Sequence, residues 1–395
     1  MTGPLTGVRV LELGGIGPGP FAGMMLADLG AEVIRIERPG SAEGDRASHS
    51  VLLRGRRSIA VNLKHPRGRD VALRLAASSD ALIEGFRPGV MERLGLGPAE
   101  LLARNPRLVY GRMTGWGQDG PRADHAAHDI NYIAVAGALE PIAAPDLTPT
   151  PPLNMLGDFG GGGMLLACGL LAALLNARST GNGQVVDAAI VDGAALLTAM
   201  HQSMRASGSW SQPRGNNLFD GGAPFYGVYR TADDRWVAVG AIEPEFYAQL
   251  LAGLGLADEL ASVDQWSAPD WPRLRRRFSQ VFAARSRDDW DAVFAGTDAC
   301  VTPVVDAASV VDEPHLAARR TYVERGGAVE PMPAPRFGRT PTTLPPPVPE
   351  VAGDTWDVIA EAGYDTEEIA TLVADGALSV PRLDTAHRGS GVRRT

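Results

Sequence analysis

A histidine stands at the centre of the segment AAHDINY, residues 126–132. The chain has only seven histidines, and this one, His128, is followed by an apolar run. Imidazole titrates near neutral pH, so it can accept and release a proton under ordinary conditions. His128 is therefore a candidate acid or base. A capping or core histidine is the alternative, because His-Asp is also a common helix start.

A second candidate, Asp158, lies in the segment NMLGDFGGGG between the apolar residues Leu156 and Phe159. Partial removal from water would raise the pKa of this carboxyl group toward the range in which proton transfer is efficient. The alternative is an N-cap for the glycine-rich helix that follows. Thirty residues separate His128 from Asp158, so their spacing alone does not show that they face each other.

Residues 14–23, GGIGPGPFAG, contain a formal match to the dinucleotide-binding pattern G-x-G-x-x-A. Glu37 follows the first glycine of that pattern by 20 residues, where such folds place an acid that binds ribose. However, Pro18 and Pro20 lack the backbone donors that a pyrophosphate needs, and Pro20 suits the first turn of a helix. Arg38 also changes the charge beside Glu37. NAD binding is therefore a minor alternative.

Other chemical sites are not indicated. His125 and His128 are three residues apart, but no carboxylate or cysteine set accompanies them at metal-site spacing, so we expect no metal. The two cysteines, Cys168 and Cys300, lie in apolar segments, which predicts buried thiols rather than a disulfide. The sequence contains neither G-x-S-x-G nor a Walker loop.

Strands and helices alternate from residue 1 to about residue 200, which predicts a largely parallel, doubly wound sheet in a Rossmann-like α/β domain. The helix after the first strand should position the Gly-Pro loop, and the helix starting near residue 127 should position His128. The predicted strands are 8–13, 32–37, 58–63, 81–86 and 108–114, and the predicted helices are 21–30, 67–79 and 98–105.

The pattern changes near residue 225. Residues 225–242 alternate apolar and polar side chains around Ala232-Asp233-Asp234, which predicts a β-hairpin. Helices are expected at 244–254 and 271–296. We therefore predict a discontinuous large α/β domain, a linker and a smaller α+β domain, followed by a polar, disordered tail after residue 380. The predicted bounds are 1–209 with 331–395, then 210–224, then 225–330.

Composition describes an ordinary globular protein, with 45% hydrophobic and 21% charged residues. A net charge of −9 argues against nucleic-acid binding. The apolar run Phe159–Leu175 contains five glycines and falls short of a membrane span, so we expect a buried helix and no membrane partner. Because a strand pattern begins almost at once, we expect no signal peptide and a cytoplasmic location.

Ten segments together resemble the alpha-methylacyl-CoA racemases of the class III CoA-transferase (CaiB/BaiF) family. The resemblance covers about residues 4 to 340. The matching segments are LTGVRVLELGGIGPGPFAGMMLADLGAEVIRIERPG, LIEGFRPGVMERLGLGP, MTGWGQDGP, HDINYIAVAG, PPLNMLGDFGGGGM, GQVVDAAIVDG, DGGAPFYGVY, VAVGAIEPEFY, DACVTPV and PAPRFGRTP.

The resemblance implies inversion of C2 in 2-methylacyl-CoA thioesters through an enolate. This reaction needs two proton carriers on opposite faces of one carbon and a group that stabilises the enolate oxygen. The resemblance assigns these carriers to His128 and Asp158, and it assigns Glu243 to the acid that pairs with the histidine. A helix that begins near Ala127 or Asp129 would offer backbone N–H groups to the oxygen.

CoA carries several phosphate charges, and basic residues follow or neighbour the predicted strand ends, where α/β sheets bind ligands. Lys64 is the only lysine in the chain. The resemblance implies contacts with CoA or the acyl group at Arg38, Val61, Asn62, Leu63, Lys64, Gly85, Phe86, Arg87, Arg93, Ala127, Asp129, Ile130, Asn131, Tyr132 and Asn154.

CoA is part of the substrate, so we expect no separate cofactor. The family also implies an interlocked homodimer, with a site between domains. Two other functions stay open: CoA transfer with Asp158 as a nucleophile, and CoA binding without catalysis. Flexible residues such as Met155 and Met164 suit varied acyl chains, and the sequence does not select one.

Overall fold

The structure is a computed structural model that describes residues 2–41, 51–143, 148–210 and 213–381. The chain divides into two compact units. The first comprises residues 1–136, 153–196 and 332–395, and the second comprises residues 137–152 and 197–331. Segments 137–152 and 197–209, which the sequence placed in the large domain, thus group with the second unit. From residue 382 onward, the tail predicted to be disordered lies outside the described residues.

The elements alternate between strands and helices over the first two hundred residues. The strands are β1 (Arg9–Leu13), β2 (Glu32–Glu37), β3 (Arg56–Val61), β4 (Ala81–Glu84), β5 (Val109–Thr114), β6 (Val185–Ala189), β7 (Tyr226–Arg230), β8 (Trp236–Gly240), β9 (Val301–Pro303), β10 (Tyr322–Arg325), β11 (Ala328–Pro331) and β12 (Leu378–Ser379). The helices are α1 (Pro18–Asp28), α2 (Pro66–Ala77), α3 (Val90–Arg93), α4 (Pro98–Arg104), α5 (Asp129–Val135), α6 (Leu165–Thr180), α7 (Ile190–Leu197), α8 (Ala199–Ala206), α9 (Pro244–Leu254), α10 (Trp271–Phe282), α11 (Arg287–Phe294), α12 (Pro314–Arg319), α13 (Thr355–Glu361) and α14 (Thr366–Ala374).

A seven-stranded sheet forms the centre of the first unit, in the order β12-β3-β2-β1-β4-β5-β6. Only β12 is antiparallel to its neighbour. Leu11 of β1 lies opposite Ile34 of β2 on one side and Leu82 of β4 on the other. The prediction of a largely parallel α/β sheet is confirmed. The strand order reverses at β1, and such switch points are where open α/β sheets bind ligands.

Both faces of this sheet are covered by helices, as expected for buried parallel strands with few polar residues. On one face, Leu11 and Ile34 pack in a cluster with Val71 of α2. On the other face, Val10 belongs to a cluster with Leu170 of α6. These two apolar layers hold the strand ends, and therefore the loops that follow them, in fixed positions.

The edge of β3 is covered by residues from the end of the first unit. Leu378 and Ser379 of β12 pair with Val61 and Ala60. The backbone N–H of Ser58 donates to the Asp354 carboxylate at 2.8 Å. These contacts satisfy donors that an open edge strand would leave exposed.

Buried charges hold the loop that follows β1. Glu12 is fully buried, and its carboxylate accepts from Arg56 Nε at 3.0 Å and from Arg35 Nη1. Arg35 also donates to the Gly15 carbonyl oxygen at 3.0 Å, and Arg56 donates to the Pro20 carbonyl oxygen at 2.5 Å. Two arginines paired with one buried carboxylate thus attach the Gly-Pro loop to the sheet.

The glycine-rich segment forms a longer helix than the sequence predicted. It starts as a π-helix at Met155–Met164 and continues through α6 to Thr180, giving 26 residues. By length and composition it could cross a membrane, which corrects the expectation that this run falls short. Core helices share those two properties, and Leu166 and Leu170 are buried in the cluster beside the sheet.

The second unit contains an antiparallel sheet of β7, β8 and β9 and a separate β10–β11 hairpin. The β7–β8 hairpin and the helix at 244–254 confirm the predictions for these segments. The predicted helix at 271–296 is instead two helices. Four residues separate the end of α10 from the start of α11, where Ser286 and Asp289 form a capping box.

The two cysteines differ from the prediction of buried thiols, because both are exposed. Cys168 lies on α6, whose buried residues occupy its sheet-facing side. Cys300 has a left-handed backbone, with φ of 52°, directly before β9. Apolar neighbours in sequence therefore did not mean burial at either position.

Candidate functional site

His128 occupies the N-cap position of α5, with extended backbone angles, and its side chain is exposed. The Asn131 side-chain oxygen accepts the His128 N–H at 3.1 Å, and the His128 carbonyl oxygen accepts the Asn131 N–H at 2.9 Å. The predicted helix start is confirmed. The turn therefore fixes the backbone of His128 and leaves its imidazole accessible.

Asp158 lies within the π-helical segment and is half-buried. It is not an N-cap, since Asn154 holds that position and donates from Nδ2 to Asp158 Oδ2 at 3.3 Å. Burial raises the pKa of Asp158 above its ordinary value; the Asn154 bond lowers it, the Asp129 charge raises it and His128 lowers it. The direction agrees with the expectation from its apolar neighbours.

Asp129, at the start of α5, has a buried side chain that points toward the π-helical segment. Its Oδ2 accepts the backbone N–H of Asp158 at 2.6 Å, and the residue is only 7% exposed. The sequence placed Asp129 among the ligand contacts and missed this side-chain bond. No sequence signal could have revealed it, because the two partners are 29 residues apart.

Tyr132 is also buried, on the inner face of α5. Its hydroxyl donates to the Ala127 carbonyl oxygen at 2.7 Å, and its ring meets Trp116 edge-on at 4.8 Å. Burial raises the pKa of Tyr132, with a further increase from Asp158 and an opposing effect from Arg87. The hydroxyl is therefore neutral, and its bond to Ala127 stabilises the loop before His128.

The loop after β1 approaches Asp158. Gly17 has φ of 68°, and a Cβ at this position would lie 3.3 Å from Asp158 Oδ2. Phe21 of α1 packs against Phe159, with ring centroids 4.8 Å apart. Glu37, the acid of the dinucleotide pattern, is buried and accepts from Arg35 at 2.8 Å. The glycines of this loop thus bring the chain close to a carboxyl group.

The predicted CoA contacts lie at the carboxyl edge of the sheet. Arg38 directly follows β2, 62–64 follow β3, and 85–87 follow β4, all of which run parallel. Arg38, Lys64, Arg87 and Arg93 are exposed, as a site for phosphates requires. The Val61 side chain is in the core, which leaves its backbone at this edge. The half-buried side chains in the set are Asn62, Leu63 and Phe86.

Three further predicted residues have different surroundings. Ile130 is 42% exposed on α5, so an apolar surface lies next to His128. Asn131 uses its side chain for the cap described above. Glu243 is exposed at the N-cap position of α9 in the second unit. Its pairing with the histidine stays a prediction.

Glu84 is a buried acid beside the predicted CoA contacts, and the sequence reasoning missed it. It is the last residue of β4, and its Oε2 accepts the Phe86 N–H at 2.8 Å. Burial raises its pKa to about 7; the Phe86 bond and the charge of Arg112 act in the opposite direction. The sequence offered one signal for this residue: Glu84 is a polar residue in the otherwise apolar strand ALIE.

This pKa predicts a loss of stability as pH rises. As the pH rises above 4.5, the usual pKa of a glutamate, the unfolded chain loses the Glu84 proton whereas the folded protein keeps it. The stabilisation is complete below 4.5 and is lost as pH rises through about 7. At roughly 1.4 kcal/mol per pH unit, this difference corresponds to about 3 kcal/mol. Unfolding free energies at pH 5 and pH 8 should therefore differ less in Glu84→Gln than in the parent protein.

Glu361→Gln is the control, because Glu361 is an exposed carboxyl group that pairs with Arg57 and has a lowered pKa. A carboxyl with a lowered pKa loses its contribution only as pH falls below the usual range. Glu361→Gln should therefore keep the parent's difference between pH 5 and pH 8. An unchanged difference in Glu84→Gln would contradict the prediction.

Among the residues that the structure describes, no group of three or more histidine, cysteine, aspartate or glutamate side chains could hold a metal ion. The candidate groups that the structure describes near the start of α5 are His128, Asp158 and backbone N–H groups. These groups can move protons and stabilise negative charge.

Comparisons with known proteins identify the family of this chain. A model of CoA-transferase family III matches residues 5–355. Alpha-methylacyl-CoA racemase of Mus musculus is 46% identical over 382 residues, covering 96% of this chain and 98% of the mouse protein. Alpha-methylacyl-CoA racemase of Homo sapiens is 46% identical over 375 residues, covering 94% and 96%.

A solved structure has the same architecture. The crystal structure of a CAIB/BAIF family protein from Brucella suis has a TM-score of 0.79 and 25% sequence identity, covering 92% of this chain and 100% of that one. Because the family model and both racemases extend over most of the sequence, the chain belongs to CoA-transferase family III.

Proposed function

We propose that this protein is a 2-methylacyl-CoA racemase that inverts C2 of the acyl group through an enolate. The observation that carries the proposal is that exposed His128 stands at the start of α5, directly before Asp129, whose side chain accepts the backbone N–H of half-buried Asp158 at 2.6 Å. The 46% identity to two alpha-methylacyl-CoA racemases over most of the chain supports the same reaction.

In one direction, the Asp158 carboxylate removes the proton from C2, and the electron pair of that bond enters the enolate. The imidazolium of His128 then donates a proton to the opposite face of C2. In the other direction, the two residues exchange roles. A raised pKa suits Asp158 to both tasks, because a carboxyl group with an ordinary pKa is a weak base near neutral pH.

The enolate oxygen needs hydrogen-bond donors that are already in place. The first intrahelical bond of α5 uses the N–H of Asn131, so the N–H groups of Asp129 and Ile130 are available to the thioester oxygen. In this proposal one helix start supplies both His128 and the donors for the oxygen.

The CoA part would bind along the carboxyl edge of the sheet. Arg38, Lys64, Arg87 and Arg93 provide positive charge for its phosphates, and the Gly85–Arg87 turn is supported by Glu84. We assign no separate cofactor, because CoA enters as part of the substrate.

We also assign a homodimer. Large apolar side chains are exposed on the first unit, and burial against a second copy would remove them from water. They are Met155 at 62%, Met164 at 52%, Leu175 at 73% and Leu196 at 63% exposure. A light-scattering mass of a single chain would contradict this assignment.

The proposal is tested by incubating the protein with (R)-2-methylacyl-CoA, without added metal or nicotinamide, and following the enantiomer ratio by chiral chromatography. We expect the two forms to approach nearly equal amounts, since they are epimers that differ only in the configuration of C2. An unchanged ratio for several acyl groups would sink the proposal.

CoA transfer is the second candidate, and the half-buried Asp158 carboxylate is compatible with it. A nucleophilic carboxylate needs no histidine partner. His128→Ala should therefore abolish racemisation, while leaving CoA transfer intact if that is the true reaction. Transfer from succinyl-CoA by the parent protein, without racemisation, would favour this alternative.

A further inference from the structure

The buried carboxylate of Asp129 connects the two helices that carry the proposed proton carriers. Asp129 starts α5, directly after His128, and Asp158 lies on the π-helical segment. The distance from Asp129 Oδ2 to the Asp158 backbone nitrogen is 2.6 Å. Since bonds from N–H groups to charged acceptors are among the stronger hydrogen bonds, this contact fixes the backbone of Asp158 relative to α5.

The contact depends on the absence of a side chain at Gly157. A Cβ at this position would lie 2.4 Å from Asp129 Oδ2 and 2.7 Å from Asp129 Cγ. Contacts this short do not occur, so any larger residue would displace the buried carboxylate. The buried position of the Asp129 carboxylate therefore requires a glycine at position 157.

The charge of Asp129 also acts on Asp158. Asp129 Oδ1 is buried and has no hydrogen-bond partner among the described residues, so the bond from the Asp158 N–H to Oδ2 is the hydrogen bond that they provide to this carboxylate. The groups facing Asp158 are His128, Asp129 and Tyr132 from α5, Asn154 from its own segment, and a glycine of the loop after β1. Asp129 raises the pKa of Asp158 in the same direction as burial, whereas His128 opposes it.

We propose that Asp129 is a positioning residue for Asp158, holding its backbone N–H through Oδ2 and placing a fixed negative charge beside its carboxyl group. This inference rests on the proposed racemase function. Asp129 has two separable effects, because asparagine keeps an oxygen acceptor for the N–H and removes the charge.

Three variants separate these effects: Asp129→Asn, Asp129→Ala and Gly157→Ala. We expect Asp129→Asn to retain most of kcat and to move the acid limb of the kcat/KM profile to lower pH, because Asp158 then loses its proton more readily. Asp129→Ala and Gly157→Ala both break the contact, so kcat should fall about 100-fold with little change in KM. If Asp129→Ala does not fold, Gly157→Ala still tests whether loss of the contact between Asp129 and Asp158 lowers kcat.

Asp124→Asn is the control, since Asp124 is an exposed aspartate in the preceding loop. It should leave both kcat and the pH profile unchanged. An unmoved acid limb in Asp129→Asn, or full kcat in Gly157→Ala, would overturn the positioning role while the parent enzyme still racemises. Failure of the parent to racemise in the same assay would overturn the proposed function itself.

Discussion

Replacing Asp158 with asparagine should lower the rate of racemisation by about 10³-fold, within the range of general acid–base catalysis. The variant should still exchange the C2 proton of one enantiomer with solvent. His128 can remove that proton, exchange it for deuterium and return the deuterium to the same face. Mass spectrometry in heavy water should therefore show deuterium at C2 of one enantiomer, with its configuration retained.

His128→Ala should give the mirror result, with exchange only in the other enantiomer, because Asp158 then acts alone. Asp70→Asn makes the same chemical change on the exposed side of α2 and should leave racemisation intact. If Asp158→Asn exchanged both enantiomers, or if neither variant exchanged any, the two-base mechanism would be wrong.

Replacing Glu12 with glutamine should cost the first unit about 3–5 kcal/mol of unfolding free energy, the usual result of removing one partner from a buried ion pair. Glu12 is fully buried, and both Arg35 and Arg56 donate to it. A neutral amide would leave two buried guanidinium groups without their shared carboxylate. Because both arginines also hold carbonyl oxygens of the loop beside Asp158, kcat should fall as well.

Urea titration measures the change, with Glu100→Gln as the control. Glu100 pairs with Arg104 one helical turn away, and about half of each side chain is exposed. Such a pair contributes about 0.3–0.5 kcal/mol. Equal losses in the two variants would show that burial of the Glu12 network does not strengthen it.

The sheet was predictable because its signal is local. β2 was predicted with its observed bounds, since EVIRIE contains the β-branched residues Val33, Ile34 and Ile36 and lies between Gly30 and the Pro39-Gly40 pair. α1 begins at Pro18 rather than residue 21, because proline fits the first helical position. β6 was not predicted as a strand, since only its pairing with β5 makes VVDAA extended. The break between α10 and α11 depends on one capping box.

The site was predictable in its ionisable groups and less so in their arrangement. His128 and the helix start after it follow from a short segment. The bond between Asp129 and Asp158 joins residues far apart in sequence, so no local pattern predicts it. The π-helix around Asp158 was also missed, because the segment shows no hydrophobic periodicity that would indicate it. Glu84 was missed because the resemblance assigned CoA contacts to residues 85–87, the turn that follows Glu84, and not to Glu84 itself.

The cover on the β3 edge has a consequence for biosynthesis. Ser58 and its partner Asp354 are separated by 296 residues. At 5–20 residues per second, a ribosome needs roughly 15 to 60 s between them. Until residue 354 is made, the Ser58 N–H at the edge of β3 lacks this partner, so chains that end before residue 354 should aggregate more than the full-length chain.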